Sequence, residues 1–530
     1  MRRLLFGAIT LAAFSNACGS TSADDSQSND LTGTTSVERQ IEWMGEVFVS
    51  TTASSDAITA AVAKQVKTSV GAFHTLKLLL NERFIERNLD TTKFIKKELT
   101  SPDGTKYIKV SYVYSDRAVV TTSLNSKSAI SFTLLMPNYS DHYDAVNKDC
   151  GREGDLGGSF FWYDYAPEKS ACSKRISAET TAIAKERNGK TDTQVGTTEL
   201  NRWFLPVTAK LSPLKTPAQA FAPEYDRLYG TTDGKSTIAV YAFHGVDKDA
   251  SDPDDILAQE AMKFLRTVLK AQPNLRPVYT EPFAMLLDIN VDGTLLQNVT
   301  YENMFQWIVD RKGYPSQVGT DSVKILNLRK QALSKFAERW VYWQLPLEVT
   351  DKNGTTRKVT IELRNYFGSE SGSDDAIQKA KWRYLEAFWY GDVFMYNGHS
   401  HLGYGPLAPE NYAAWNFNER YQVMLVNSCI SFNYYEQDFF KLKPGGSKNL
   451  ELITNGMSSY ISGSGEASAK LFTSLFDGTQ KSYKDILSAM RITAGGESAY
   501  DPMRVADGEL DNTYSASTNP IRVKVLPPVY

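Results

Sequence analysis

Val423-Met424-Leu425-Val426-Asn427-Ser428-Cys429 is a run of four apolar residues that ends in two small polar residues and a thiol. A short unbroken apolar run of this kind suits a strand buried on both faces, as the strands of parallel sheets are. The same pattern recurs upstream, where the apolar residues 393–396 lead into Asn397-Gly398-His399-Ser400-His401. A thiol and an imidazole therefore stand at the C-terminal ends of two strand-like segments, the edge at which open α/β sheets keep their ligand crevices.

Working outward, residues 237–243 read as a buried strand, followed by an amphipathic helix over 256–269 opened by Asp252-Pro253-Asp254-Asp255. Strands at 359–367 and 450–454 and helices at 374–389, 465–476 and 483–490 continue the alternation. This rhythm predicts an α/β, three-layer sandwich with a mostly parallel sheet over 231–500, with 501–530 as a C-terminal tail. On the N-terminal side, Ile58, Val62, Val66, Val70 and Phe73 recur at helical spacing, and apolar character continues to residue 84, which predicts one long helix or a helical hairpin. After the turn Pro102-Asp103-Gly104, the residues Ile108, Val110, Tyr112 and Tyr114 alternate as in a strand, and 130–136 reads as another. A polar helix near 176–188 and a Pro-rich connection over 206–223 complete a smaller α+β domain over 41–230.

The chain opens with Arg2-Arg3, an apolar stretch over 4–14 and Ser15-Asn16-Ala17-Cys18, the order of charge, apolar core and small residues found in secretory signals. The core is too short to span a bilayer as a helix. The stretch resembles a bacterial lipoprotein signal, with 1–17 removed, Cys18 carrying lipid and 18–40 as a flexible tether, although Ser15 stands where such signals usually carry leucine. That resemblance implies a bacterial cell-envelope protein, an outer-membrane lipoprotein held at the membrane by its N-terminal lipid. Export permits disulfides, and with Cys18 assigned to lipid, Cys150 and Cys172 are placed to close a loop around Gly157-Gly158 and Phe160-Phe161-Trp162-Tyr163. Of the four cysteines, Cys429 is then the odd thiol. A net charge of −3, with Lys and Arg scattered, carries no nucleic-acid footprint.

Tyr396-Asn397-Gly398-His399 and Val426-Asn427-Ser428-Cys429, in that order on successive strands, resemble the caspase-like cysteine peptidases, nearer in spacing to the gingipain branch, over roughly residues 235–495. The resemblance implies Cys429 as nucleophile, His399 as its proton-transfer partner, a polypeptide substrate and no cofactor or metal. A thiol needs an imidazole to ionise near neutral pH and to return the proton to the leaving amine. The tetrahedral oxyanion needs convergent N–H groups, which the family takes from the cysteine and from a glycine after its histidine. Here Ser400 follows the histidine and Gly398 precedes it. In the family, the segment corresponding to 454–460 lines the cleft and pairs with an extended peptide.

His401 is a second possible partner, since on an extended segment it shares a side with His399. Glu370, Asp374 and Asp375 are possible orienters of the imidazole, with helix capping as the plain alternative. Two other functions fit the same residues. One is a catalytically inactive caspase-like binding protein of the cell envelope, in which Cys429 is a small core residue. The other is a zinc hydrolase whose site begins with His399-x-His401, completed by Cys429 or a carboxylate. His74, His142 and His244 sit in no recognisable partner motif for it, and His244 is not expected to be catalytic. Asp288-x-Asn290-x-Asp292-Gly293 opens like a calcium loop but has Val299 at the twelfth position, so an Asp-Gly turn is expected. Trp162, Tyr163 and Tyr165 read as a small core inside the disulfide loop.

Overall fold

The computed structural model describes residues 30–32, 36–80, 85–152, 157–213, 221–246, 250–278, 286–370 and 373–527. The signal segment and Cys18 lie outside them. At the centre of a ten-stranded sheet, Thr356–Ser369, Thr237–Val246, Val393–Asn397, Gln422–Asn427 and Leu450–Asn455 lie side by side and parallel. In Thr237–Val246, Val393–Asn397 and Gln422–Asn427 a continuous apolar sequence matches burial on both faces, whereas Thr356–Ser369 alternates buried and partly exposed residues over most of its length. Val393, Met395, Val423, Leu425 and Ile453 pack toward Ile256–Ala271 and Ser464–Phe476. Phe394, Tyr396, Met424, Val426 and Leu452 pack toward Asp374–Tyr390 and Ser431–Leu442.

The expected mostly parallel three-layer sandwich needs correction, because antiparallel strands flank this block on both sides. Arg504–Asp507 runs antiparallel to Leu450–Asn455, and Asp30–Thr32 antiparallel to Arg504–Asp507. On the other side, Val341–Thr350 forms a hairpin with Thr356–Ser369 and takes Arg522–Val525 and Arg276–Pro277 as antiparallel partners. Five of the nine pairings in this sheet are antiparallel, so it is a mixed sheet. The hairpin has a local cause. Asp351 Oδ1 accepts from the N–H of Asn353 and of Thr355, and Gly354 supplies the positive φ of 83° that closes the turn.

The second sheet is six-stranded, and all of its pairings are antiparallel. Its spine is Ser36–Ser50 against Lys106–Thr121, and Trp43 packs on Phe73, Tyr114 and Phe132 beneath it. The expected long helix or hairpin over 58–84 is also corrected. Ser55–Lys67 and Ser69–His74 are separate helices, and Leu78–Leu80 is a strand. Thr68 makes the break: its hydroxyl donates to Gln65 O at 2.7 Å and accepts from the Leu135 N–H at 3.0 Å. Part of the expected Pro-rich connection is the strand Phe204–Pro213. At Pro206 only one neighbouring strand is paired, which leaves an open side for a residue that cannot donate.

Candidate active site

The register of the parallel strands decides where the chemistry meets. Asn397 is paired with Asn427 across one side and with His244 across the other. The loops carrying His399 and Cys429 therefore leave adjacent strands at the same height. After Thr356–Ser369 the chain crosses over Thr237–Val246 to Val393–Asn397, so the strand order reverses direction one strand away from Cys429. A buried amide ladder locks these ends together. Asn427 Nδ2 donates to Asn397 Oδ1 and Asn455 Nδ2 to Asn427 Oδ1, each at 2.9 Å, and Ser468 Oγ donates to Asn397 Oδ1 at 2.7 Å. A buried polar network of this sort fixes register where apolar packing would permit slippage, although Asn455 Oδ1 accepts no bond within it. Its sequence signal is an asparagine closing each of three strand-like segments, a pattern that also reads as ordinary turn chemistry.

The histidine loop is built on Glu370. This carboxylate is fully buried and accepts from Tyr384 OH at 2.8 Å, from Tyr396 OH at 2.8 Å and from the His399 N–H at 3.3 Å. Burial and the Glu370 charge hold the Tyr384 phenol well above its ordinary ionisation range, so it stays a donor. His401 Nε2 lies 3.5 Å from Glu370 Oε1, an ion-pair distance whose angle makes no hydrogen bond. Gly398 is explained by the same packing: a Cβ there would lie 2.5 Å from Tyr396 OH and 2.7 Å from Glu370 Oε1. The glycine precedes the histidine because the carboxylate fills the space a side chain would need. Asp374 and Asp375 are exposed in the first turn of Asp374–Tyr390, where Asp375 pairs with Lys379 at 2.8 Å, so they serve the helix end.

The expectation of an extended segment at 399–401 is corrected. Ser400 is α-helical in backbone, and His401 and Leu402 take left-handed φ of 48° and 52°. The two imidazoles nevertheless stay near each other, with ring centroids 5.9 Å apart. Tyr435, from the helix that follows Cys429, donates its hydroxyl to Ser400 O at 2.8 Å and ties the two loops together.

Cys429 is half-buried in a turn held at both ends. The Ile430 N–H donates to Met457 O at 3.2 Å, and Ser431 Oγ donates to Val426 O at 2.7 Å while accepting from the Asn455 N–H at 2.8 Å. The sulfur donates to Ser459 O at 3.6 Å and lies 4.0 Å from Ser459 Oγ. It bonds neither imidazole. Among the described residues the N–H groups of Ser400 and Cys429 donate to nothing, which leaves two open amides at neighbouring strand ends.

The chain matches no family model, no curated protein and no solved structure. The surroundings of the thiol thus carry the remaining argument. A cavity of about 560 Å³ runs beside Ser459, walled by Tyr500 and Asp501 on one side and by His74, Lys77 and Thr121 of the antiparallel domain on the other. His74 Nε2 is 3.4 Å from Ser458 Oγ, and burial with the nearby Arg152 charge pushes its ionisation down to about 4. A larger hollow of about 670 Å³ lies under Lys64 and Lys67, and neither cavity has Cys429 or His399 in its lining. Of the segment 454–460 expected to line a cleft, Met457, Ser458, Ser459 and Tyr460 line the smaller cavity, and the facing residues are remote in the chain.

Cys150 and Cys172 form a disulfide, with Cα atoms 4.9 Å apart. Inside its loop Phe161, Trp162 and Tyr165 are buried, while Phe160 meets the Tyr404 ring of the histidine loop at 6.2 Å. His244 is fully buried and pushed down to about 3 by burial alone, so it is neutral. Asp292 and Gly293 close the hairpin of Leu286–Val291 and Thr294–Thr300 with φ of 49° and 85°, and Gly293 N–H donates to Asn290 Oδ1. No group of three His, Cys, Asp or Glu side chains among the described residues could hold a metal ion, so His399 and His401 gain no third ligand there. No described helix is long and apolar enough to cross a membrane.

Proposed function

We propose that this protein is an exported cysteine endopeptidase, with the resemblance of its two strand-end motifs to the gingipain branch of the caspase-like peptidases as part of the proposal. The observation that carries the reading is the pairing of Asn397 with Asn427, which sets the His399 and Cys429 loops on adjacent strand ends, each carrying one amide that donates to nothing among the described residues. Cys429 attacks the scissile carbonyl after its proton passes to His399, and the imidazolium then protonates the leaving amine. The amides of Cys429 and Ser400 receive the oxyanion, and a serine amide serves as well as the glycine amide of the family. Water releases the acyl group from sulfur in the second half. Glu370 holds the histidine loop from beneath. An extended polypeptide lies along 456–460, with His74 and Lys77 opposite.

Iodoacetamide is expected to label Cys429 in the native protein, with a pH profile that His399→Ala displaces upward. Labelling that requires denaturation would instead support the inactive binding protein, a reading favoured by the rest position of the sulfur against Ser459. We also propose that the mature chain sits on a bacterial envelope membrane through a lipid on Cys18, on the strength of Arg2-Arg3, the apolar stretch and the polar segment after the cysteine. In detergent phase partition the wild type is expected in the detergent phase and Cys18→Ser in the aqueous phase; equal partition of the two would reject the anchor.

A further inference from the structure

The helix Ser55–Lys67 turns one face to the larger hollow, where Asp56, Thr59, Ala60, Ala63, Lys64 and Lys67 follow one another at helical spacing for about 16 Å. Tyr139, Ser140, Ser159 and Trp162 make the other walls. Each lysine lays its ammonium over a ring, Lys64 Nζ at 4.8 Å from the centre of Tyr139 and Lys67 Nζ at 4.6 Å from that of Trp162. Lys64 Nζ also donates to Ser140 Oγ at 2.7 Å. A ring face places a cation but leaves N–H donors free. Among the described residues neither ammonium has a carboxylate at ion-pair distance, and Asp141 acts on Lys64 only from farther off. Two like charges one helical turn apart repel, so the fold holds them together without an internal counter-charge between them. Tyr139 adds a third donor: it is 3% exposed, and its hydroxyl bonds to nothing among the described residues.

We infer that this hollow binds a phosphate-bearing small molecule with a hydroxylated body, a sugar phosphate in its simplest form. Residues three apart on a helix have Cβ atoms about 5–6 Å apart, so the ammoniums of Lys64 and Lys67 can close on one phosphate. The dianion matches both charges, and its three oxygens accept from the two lysines and the Tyr139 hydroxyl, whereas a carboxylate leaves one ammonium unmatched. Burial pushes the Tyr139 phenol up to about 12, which keeps it a donor. The volume of about 670 Å³ is that of a small-molecule pocket and leaves room beyond the phosphate. There the Asp56 carboxylate, at the far end of the same helical face, accepts from hydroxyl groups of the body. Neither Cys429 nor His399 lines the hollow, so the inference stands apart from the peptidase reading.

The test is calorimetric titration of the full chain with glucose 6-phosphate, inorganic phosphate and glucose, beside flotation with phosphatidic acid vesicles. Glucose 6-phosphate is expected to bind saturably at a single site and to raise the unfolding temperature, inorganic phosphate to compete with it, and glucose alone to give no heat. Lys64→Gln and Lys67→Gln are each expected to weaken glucose 6-phosphate binding about tenfold, the loss of one charged contact. Lys67 makes no hydrogen bond among the described residues, so its replacement leaves folding intact. Tyr139→Phe is expected to weaken binding by less, and Lys148→Gln, outside the hollow, to leave it unchanged. Absence of saturable glucose 6-phosphate binding, or binding that Lys64→Gln and Lys67→Gln leave at full strength, overturns the inference. Capture by the vesicles with no response to glucose 6-phosphate overturns it too, in favour of a lipid headgroup.

Discussion

Cys429→Ala is expected to lower kcat for peptide hydrolysis at least about a thousandfold, while thermal unfolding moves by less than about 1 kcal/mol. The two halves of this expectation come from different contacts. The thiol is half-buried and its one donated bond is a long contact of 3.6 Å to Ser459 O, so little folding energy is lost with the sulfur atom. The turn itself is held by Ile430 and Ser431, which the substitution leaves alone. In the proposed mechanism turnover depends on a covalent acyl intermediate, and a loss of about 4 kcal/mol in transition-state stabilisation corresponds to that factor. His399→Ala is expected to fall nearly as far, because nucleophile and base act as a unit, whereas His401→Ala is expected to show a smaller loss of rate. A severe His401→Ala with a mild His399→Ala would exchange their roles, and substantial hydrolysis by Cys429→Ala would end the proposal.

The parallel strands were legible because burial on both faces writes itself as continuous apolar sequence. Val393–Asn397 and Gln422–Asn427 agree with their sequence reading to within a residue. The antiparallel margins carry weaker signals. In Val341–Thr350 the residues Trp343, Leu345, Leu347 and Val349 are buried in strict alternation, but Pro346 interrupts the run and argues locally against a strand. Ser36–Ser50 hides in the same way. Its outward charges and mid-strand Gly45 resemble a linker, yet the glycine is required because the Tyr112 ring occupies the space a Cβ would take. Arg504–Asp507 has two charged residues in four and becomes a buried strand through its neighbours alone.

The site divides along the same line. Two chain segments that end adjacent strands could be paired from sequence, since strand order and a shared pattern suffice. Spacing could not choose among Glu370, Asp374 and Asp375, because the choice is made by Tyr384 and Tyr396 from other elements. Nor could it explain why glycine stands before the histidine. The resemblance to the caspase-like peptidases makes Ser400 the departure, while the packing shows that the space beside Gly398 is filled by Tyr396 and Glu370.

Glu370→Ala is accordingly expected to be the most disruptive single change at this site, costing about 3–5 kcal/mol of stability and about ten- to a hundredfold in kcat. The carboxylate is fully buried, and its removal strips an acceptor from two buried phenols and from the His399 N–H. Tyr396 retains His399 O at 2.7 Å, but Tyr384 has no other acceptor among the described residues. The space vacated lies against Gly245 and Gly398, neither of which has a side chain to fill it. Glu370→Gln separates the two effects. It keeps the volume and one acceptor oxygen, so most of the unfolding temperature is expected to return. Its amide N–H₂ must face donors, however, so the histidine loop loses part of its hold and kcat stays low with KM little changed. Assays well below the lowered unfolding temperature keep the rate effect from being a trivial consequence of unfolding. Wild-type kcat in Glu370→Ala under those conditions would mean that the carboxylate supports the sheet edge alone and that the histidine loop is held by Tyr435 and Tyr396 without it.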